Sequence, residues 1–298
     1  MTILNLASDG LYPELIALYR AVAKYGPIEM EELIRICSAE HMPRQALMRW
    51  TDLGIFVVQD KLVRLTERVV TKRGESLDSL TKRLPSICRK LILDEVHCKP
   101  LWPNGEVSEE GTGRAADFAR GLAWTLAQDI YNFSDVSADA IETKEHQQIR
   151  SGKFIFLNKT RWPGLRAWAR YLGFGVGDER TFLIDPTVAV REELTSVLDG
   201  TKEMPADVFL NEISVRLPVL DNGIYRKEVE NSLNEETWRQ VPEGHVSMSL
   251  SLALRRLELD KTIALIHRAD AGQGISLTGR NFRSWRSFTH VRLLRGGV

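Results

Sequence analysis

The sequence predicts a mainly α-helical α+β protein, built from tandem winged-helix modules that are joined by helical segments. In three stretches, a helix with apolar residues at intervals of three and four is followed by short β-branched strands. The length of 298 residues favours two or three compact units. Hydrophobic residues make up 43% and charged residues 27%, a composition that excludes wholesale disorder.

The first predicted module spans residues 13–66. Its predicted elements are helices over residues 13–25, 30–37 and 43–53 and strands over residues 55–59 and 62–65. Gly26 ends the first helix, and Asp60 and Lys61 form the turn between the strands. Three helices followed by a hairpin is the order of a winged helix, and its helix pair is a helix-turn-helix element.

The predicted division is a winged helix at 1–70, a helical linker or middle region at 71–150, a second winged-helix-like module at 151–200, and a C-terminal winged-helix-like module with a basic tail at 201–298. In the middle region, we expect an amphipathic stretch at 68–90, interrupted at Pro85, and a largely buried helix at 114–133.

The second and third modules are predicted from shorter patterns. The second begins with a strand at 153–157, which precedes a helix at 161–172. In the third, a helix at 247–259 precedes a strand at 262–268, which turns at 270–274 and pairs with a strand at 275–278.

The charges are balanced overall but segregated along the chain. With 40 basic and 40 acidic residues the formal net charge is zero, which argues against a histone-like or tail-type nucleic-acid binder. Local excesses are +5 at 61–100, −5 at 101–150, −7 at 192–245 and +6 at 253–298. This pattern suits intermolecular docking or the placement of a polyanion on one face, although solvated helices also alternate in sign.

The cysteines and the apolar runs indicate the compartment. Three cysteines, Cys37, Cys88 and Cys98, are too few and odd in number for a disulfide framework. The apolar runs are shorter than a membrane span, and residues 2–10 lack a basic region followed by an apolar one. We therefore expect a soluble cytoplasmic protein without a membrane partner.

Candidate DNA contacts in the first module lie on its third helix and its hairpin. That helix would enter the major groove with Arg44, Gln45, Met48 and Arg49, and Lys61 and Arg64 would lie near phosphates. The same residues suit a protein-docking module equally well.

The C-terminal module supplies the second set of candidates. They are Arg255, Arg256, Arg268, Arg280, Arg283, Trp285 and Arg286. Arginines interleaved with Phe282, Trp285 and Phe288 suit phosphate contacts and base stacking on single strands. Alternatively, these aromatic residues complete the core of the module while the arginines face water.

The search for chemistry predicts no catalytic residue, no metal and no cofactor. The chain has no glycine-rich phosphate loop and no dinucleotide fingerprint, and the adjacent His97 and Cys98 lack zinc-site spacing. A Glu-x-Lys pattern at 142–144, with Asp129 or Asp135 upstream, resembles half of a metal-dependent nuclease site. Its helical, acidic context argues against that interpretation.

Three N-terminal segments carry a family resemblance. Residues 3–10 (Ile-Leu-Asn-Leu-Ala-Ser-Asp-Gly), 15–20 and 49–54 (Arg-Trp-Thr-Asp-Leu-Gly) resemble the DpdG family of bacterial defence proteins. The resemblance implies an accessory role in gene clusters that insert deazaguanine bases into DNA and restrict foreign DNA, beside helicase and nuclease partners. It assigns no catalytic residue.

These observations predict a non-catalytic DNA-binding or adaptor component of a prokaryotic DNA-restriction complex. Its partners would be DNA and other defence proteins, such as a helicase or nuclease. The alternatives are a protein-interaction scaffold without nucleic-acid affinity and a transcriptional regulator. Salt-dependent DNA binding distinguishes the first from the scaffold.

Overall fold

The computed structural model describes residues 3–4, 12–37, 43–69, 74–103, 110–133, 137–178, 181–198, 201 and 203–294. Within these residues the chain forms twelve α-helices and eleven short strands. The α+β class predicted from the sequence is therefore confirmed. The buried side chains form one continuous hydrophobic core that extends through all parts of the described chain.

The N-terminal part contains the predicted three helices and hairpin. Its elements are α1 (Tyr12–Tyr25), β1 (Ile28–Glu29), α2 (Met30–Cys37), α3 (Pro43–Asp52), β2 (Phe56–Gln59) and β3 (Leu62–Leu65). Strand β1 was not predicted; it pairs with β3 and gives an antiparallel sheet of order β1-β3-β2. Asp60 and Lys61 both have positive φ angles, 50° and 65°, as a two-residue type I′ hairpin turn requires.

The apolar spacing of α1 and α3 explains why these helices pack together. Leu15, Leu18 and Tyr19 of α1 are fully buried, as are Ala46 and Trp50 of α3. Residues three and four apart lie on one face of a helix, so each helix presents an apolar stripe to the other.

The middle of the chain is helical. Its elements are α4 (Leu77–Ile92), α5 (Glu95–Cys98), α6 (Ala116–Leu126) and α7 (Ala138–Gln148). The predicted interruption at Pro85 is wrong, because α4 continues through this residue. Leu80, Leu84 and Cys88 form a buried stripe across Pro85, and this packing outweighs the loss of one backbone hydrogen bond.

The next part contains α8 (Arg161–Tyr171), β4 (Gly175–Val176) and β5 (Leu183–Ile184), and the two strands pair as an antiparallel hairpin. The strand predicted at 153–157 is wrong, since this segment has no strand partner. The buried Glu145 carboxylate instead accepts hydrogen bonds from the backbone N–H groups of Ile155 and Phe156, at 2.5 and 3.0 Å. A side chain therefore provides the partner that a neighbouring strand would otherwise supply.

The C-terminal part contains two three-stranded sheets. Its elements are α9 (Thr187–Val197), β6 (Glu203–Pro205), α10 (Ala206–Arg216), α11 (Ile224–Glu230), β7 (His245–Val246), α12 (Met248–Leu259), β8 (Ile263–Ile266), β9 (Ile275–Thr278), β10 (Ser284–Phe288) and β11 (His290–Leu293). One sheet has the order β6-β11-β8 and the other the order β10-β9-β7.

The predicted hairpin between residues 262–268 and 275–278 is wrong. Strand β8 pairs with β11, and β9 pairs with β10 and β7. Val291 of β11 is fully buried opposite Leu265, so β11 supplies the apolar partner that β8 needs. The residues between β8 and β11 supply two strands of the second sheet, β9 and β10, instead of a short turn.

The sheet order in the C-terminal part repeats that of the N-terminal part. In the sheets β1-β3-β2 and β6-β11-β8, the strand that is last in sequence lies between the other two. Helix α9 packs against α10 and α12, as α1 packs against α2 and α3. The predicted boundary at residue 200 thus separates α9 from the two helices on which it packs.

Buried ion pairs connect the parts of the chain. Arg89 of α4 is 1% exposed; its guanidinium donates to the carbonyl of Leu172 at 2.9 Å and to the carboxylates of Glu192 at 2.8 Å and Glu193 at 3.3 Å. Helix α4 is thereby linked to the end of α8 and to α9.

We expect Arg89→Met to lower the free energy of unfolding by about 3–5 kcal/mol, because it leaves the buried Glu193 carboxylate without its closer cation. Urea unfolding followed by circular dichroism measures this loss. In the control Arg35→Met, an exposed pair with Glu32 is removed, so the expected loss is below about 1 kcal/mol. Equal losses in the two variants would contradict the structural role of Arg89.

A carboxylate on β6 pairs with two arginines of the same sheet. Glu203 bonds Arg292 of β11 at 2.7 Å and Arg268, which follows β8, at 2.5 Å. The hydrogen bond from Arg292, which outweighs the opposing effect of desolvation, lowers the pKa of Glu203 below its usual 4.5. A lowered carboxyl pKa stabilises the fold above the unfolded value, and this contribution is lost as the pH falls through the folded value.

Glu203→Gln is therefore expected to lower the melting temperature at neutral pH. The difference from wild type should shrink as the pH falls from 4.5 through the lowered pKa of Glu203. Thermal melts across a pH series measure it, with Glu236→Gln at an exposed position as control. A difference that stays constant over this pH range would exclude the charge pairing as its cause.

Candidate nucleic-acid interface

The connection between β9 and β10 forms one side of a surface cleft. This C-terminal cleft has a volume of about 450 Å³ and is lined by Tyr131, Gly279, Arg280, Asn281, Arg283, Ser284 and Trp285. Tyr131 comes from the turn that follows α6, and the other residues belong to the β9–β10 connection and the start of β10. The cleft thus joins two segments that are distant in the sequence.

The backbone of the β9–β10 connection has an unusual conformation. Asn281 and Phe282 have φ angles of 60° and 59°, in the left-handed region. For a bulky side chain such as Phe282 this costs about 1–3 kcal/mol, so the surroundings must stabilise it. The guanidinium of Arg239 lies 4.3 Å from the centre of the Phe282 ring, and the backbone N–H of Gly279 donates to the carbonyl of Arg283 at 2.9 Å.

Two aromatic side chains in the cleft are accessible to solvent. Trp285 is 50% exposed and Tyr131 is 40% exposed. Arg255 of α12 lies 5.8 Å from the Trp285 ring centre, and its guanidinium is paired with Glu258 at 2.6 Å. By contrast, Phe288 is fully buried, as the alternative of a core-completing aromatic predicted.

Most of the predicted C-terminal arginines are paired with carboxylates. Arg286 bonds both oxygens of Glu258, at 2.7 and 2.8 Å, and Arg256 is paired with Asp185. Arg268 is paired with Glu203. Among the residues that the structure describes, Arg280 and Arg283 are exposed and have no carboxylate partner. The structure therefore brings Arg280, Arg283 and Trp285 together and directs the other candidates to intramolecular contacts.

The candidates of the first module do not form a comparable group of unpaired cations. Arg44 is paired with Glu31 at 2.8 Å, and Arg64 donates to the Gln59 side chain at 3.0 Å. Arg49 donates to the Ile3 carbonyl at 2.6 Å, and burial lowers the pKa of its guanidinium. Gln45 and Lys61 are exposed, on α3 and in the β2–β3 turn respectively.

The exposed face of α3 instead borders a more apolar cleft. This α3 cleft has a volume of about 290 Å³ and is lined by Ile3, Gln45, Met48, Arg49, Asp52, Leu53 and Arg114. Met48 is 63% exposed, so a flexible apolar side chain projects where a DNA-reading helix would offer polar groups.

The nuclease-like pattern lies on α7, as its helical context suggested. Lys144 lies 5.0 Å from the centre of the Phe133 ring, and desolvation lowers the pKa of its ammonium. Within the described ranges, no group of three or more His, Cys, Asp or Glu side chains could hold a metal ion. Asp135 lies outside these ranges.

Sequence reasoning missed Tyr131. The helix predicted at 114–133 included this residue, whereas α6 ends at Leu126. The Asp129 side chain accepts the backbone N–H of Tyr131 at 3.0 Å and forms a turn there. An aspartate one turn before the predicted helix end was the available indication.

Comparison with known proteins identifies the family. A family model described as DpdG-like matches residues 1–271, so the chain belongs to the DpdG-like family. This confirms the resemblance and extends it far beyond the N-terminal segments. The matched residues include Tyr131 and end before Arg280. No curated protein and no solved structure matches the chain.

The helices were also compared with the requirements of a membrane span. None of those in the described residues is both long and apolar enough to cross a bilayer.

Proposed function

We propose that this protein is a non-catalytic DNA-binding component of a DNA-modification and restriction cluster that defends bacteria against foreign DNA. The C-terminal cleft is the observation that carries the proposal. Arg280 and Arg283 lie there without a carboxylate partner in the described chain, beside two exposed aromatic rings. Membership of the DpdG-like family supports the defence context.

We assign the N-terminal and C-terminal parts as winged-helix modules. The first part has the element order α1-β1-α2-α3-β2-β3, and its last strand, β3, lies at the centre of the sheet. Both features support the assignment. In the second part α9, β6, α10, α12, β8 and β11 follow the same order. There the connection between the last two strands is enlarged into the sheet that carries the C-terminal cleft, in the position of the wing.

The electrostatics of the cleft suit a polyanion. Guanidinium groups form bidentate hydrogen bonds with phosphate oxygens, and those not paired with a carboxylate need no internal ion pair to be broken. Arg256, Arg268 and Arg286 would each have to exchange an existing partner. Arg280 and Arg283 are therefore the expected phosphate contacts.

The double variant Arg280→Ala/Arg283→Ala should weaken DNA binding roughly tenfold or more, because two charge-assisted hydrogen bonds are lost. The plot of log affinity against log salt concentration should become shallower by roughly 1.4–1.8, as two fewer phosphates are neutralised. Fluorescence anisotropy with a labelled oligonucleotide, measured over a salt series, gives both quantities.

The matched control is Arg35→Ala/Lys82→Ala, which removes the same charge from exposed positions on α2 and α4. It should leave affinity and salt dependence near the wild-type values. Equal effects of the two double variants would indicate a response to net charge, and no effect of Arg280→Ala/Arg283→Ala would remove the cleft as the contact.

An adaptor role is a second candidate function that the α3 cleft favours. The cations of α3 are paired or bonded to backbone, and the exposed Met48 lines the cleft together with the apolar Ile3 and Leu53. Winged helices also serve as protein-docking units, and a flexible methionine adapts to an apolar partner surface. The proposed occupant is another protein of the same defence cluster, such as its helicase or nuclease.

Met48→Asp is expected to weaken co-purification of that cluster partner at least roughly tenfold, since a buried methionine contributes about 1.5–3 kcal/mol at an interface. Co-expression of the cluster proteins with an affinity tag on this chain measures the effect. Val96→Asp, at an exposed position on α5, is the control. If both variants retain the partner equally, the α3 cleft is not the docking surface.

A further inference from the structure

We propose that the C-terminal cleft binds an unpaired base of single-stranded DNA, stacked on Trp285 and Tyr131, with the flanking phosphates on Arg280 and Arg283. This inference rests on the proposed DNA binding and names the form of DNA that the cleft takes. The juxtaposition that carries it is two exposed aromatic rings and two exposed arginines around one cleft.

The exposed aromatic rings of the cleft favour single-stranded DNA over duplex DNA as its ligand. A duplex keeps its bases stacked inside, so a protein that binds its backbone needs cations and gains nothing from solvent-exposed aromatic faces there. A single strand offers a π-face at every base, and proteins that bind it combine a basic groove with aromatic side chains. A base stacked on Trp285 and Tyr131 would remove their exposed apolar ring surface from water.

An ionic network adjoins Trp285. Arg255 lies near the indole ring, and Glu258 accepts from both Arg255 and Arg286. Arg286 also donates to the carbonyl of Leu265 at 2.7 Å, which anchors β10 to β8. A ring that already contacts a neighbouring cation loses less conformational freedom when a base stacks on it than a ring without such a contact.

The left-handed backbone at Asn281 and Phe282 places the two arginines on the cleft. The connection reverses direction within residues 279–283, so that Arg280 and Arg283 flank the turn and both line the cleft. An unfavourable backbone conformation that the surroundings stabilise is typical of a functional site. Here the left-handed backbone brings Arg280 and Arg283 to the cleft that Trp285 and Tyr131 also line.

The test compares single-stranded and duplex DNA of the same sequence, about 12 nucleotides long, with the fluorescent base aminopurine at one internal position. Wild-type protein is expected to change the fluorescence of the single strand by stacking on the base. Trp285→Ala should weaken single-strand binding roughly 5- to 150-fold and weaken duplex binding much less. Trp285→Phe, which keeps an aromatic face, should restore most of the affinity, and Tyr131→Ala should weaken single-strand binding.

The outcomes separate this inference from the proposed function. If Trp285→Ala leaves single-strand affinity unchanged, or weakens duplex binding as much, base stacking is overturned. DNA binding itself then stands provided that Arg280→Ala/Arg283→Ala still weakens it. If wild-type protein binds neither form at low salt, both the inference and the proposed function are overturned.

Discussion

Arg89 is a fully buried cation in the middle of the molecule, and the arrangement of the surrounding helices depends on it. A guanidinium at 1% exposure loses nearly all of its hydration, and this cost is offset only by close acceptors. Leu172, Glu192 and Glu193 supply them from the end of α8 and from α9. The N-terminal part, which packs on α4, therefore has a defined position relative to the C-terminal part. A second buried pair, Asp117 with Arg161 at 3.0 Å, joins α6 to α8.

The same pairing principle explains the alternating charge along the chain. The sequence pattern suggested docking to other molecules, yet acidic and basic segments neutralise each other within the structure. Glu203 of the acidic segment 192–245 pairs with Arg268 and Arg292, and Glu192 and Glu193 of the same segment pair with Arg89. Arg280 and Arg283 stand apart because no carboxylate of the described chain pairs with them. Internal pairing thus selects which cations remain for an external anion.

Local patterns predicted local structure well. In residues 13–66 each helix has apolar residues at helical spacing, and α1 and α3 also have proline and glycine boundaries, so all three helices and the hairpin were predictable. Strand β1 has only two residues, which is too short for an alternating pattern, and its partner β3 is distant in the sequence. The segment predicted as a strand at 153–157 donates two backbone N–H groups to the Glu145 carboxylate and forms no strand. Strand β8, predicted to pair with the strand at 275–278, pairs with β11. Both depend on which elements meet in the fold, and the apolar pattern of a single segment does not show this.

The candidate site was predicted in part for the same reason. Arginines interleaved with aromatic residues near residue 285 pointed to the segment that lines the C-terminal cleft, but the sequence does not reveal which arginines meet carboxylates. Tyr131 could join the cleft only after the fold had brought the turn following α6 beside the β9–β10 connection. The contact that we propose for this cleft is with the bases of DNA.

Photo-crosslinking of the protein to single-stranded DNA that contains iododeoxyuridine, with the crosslinked peptide identified by mass spectrometry, tests this contact. We expect crosslinks at Trp285 or Tyr131. Crosslinks confined to α3, or to any surface away from the C-terminal cleft, would contradict the proposed contact.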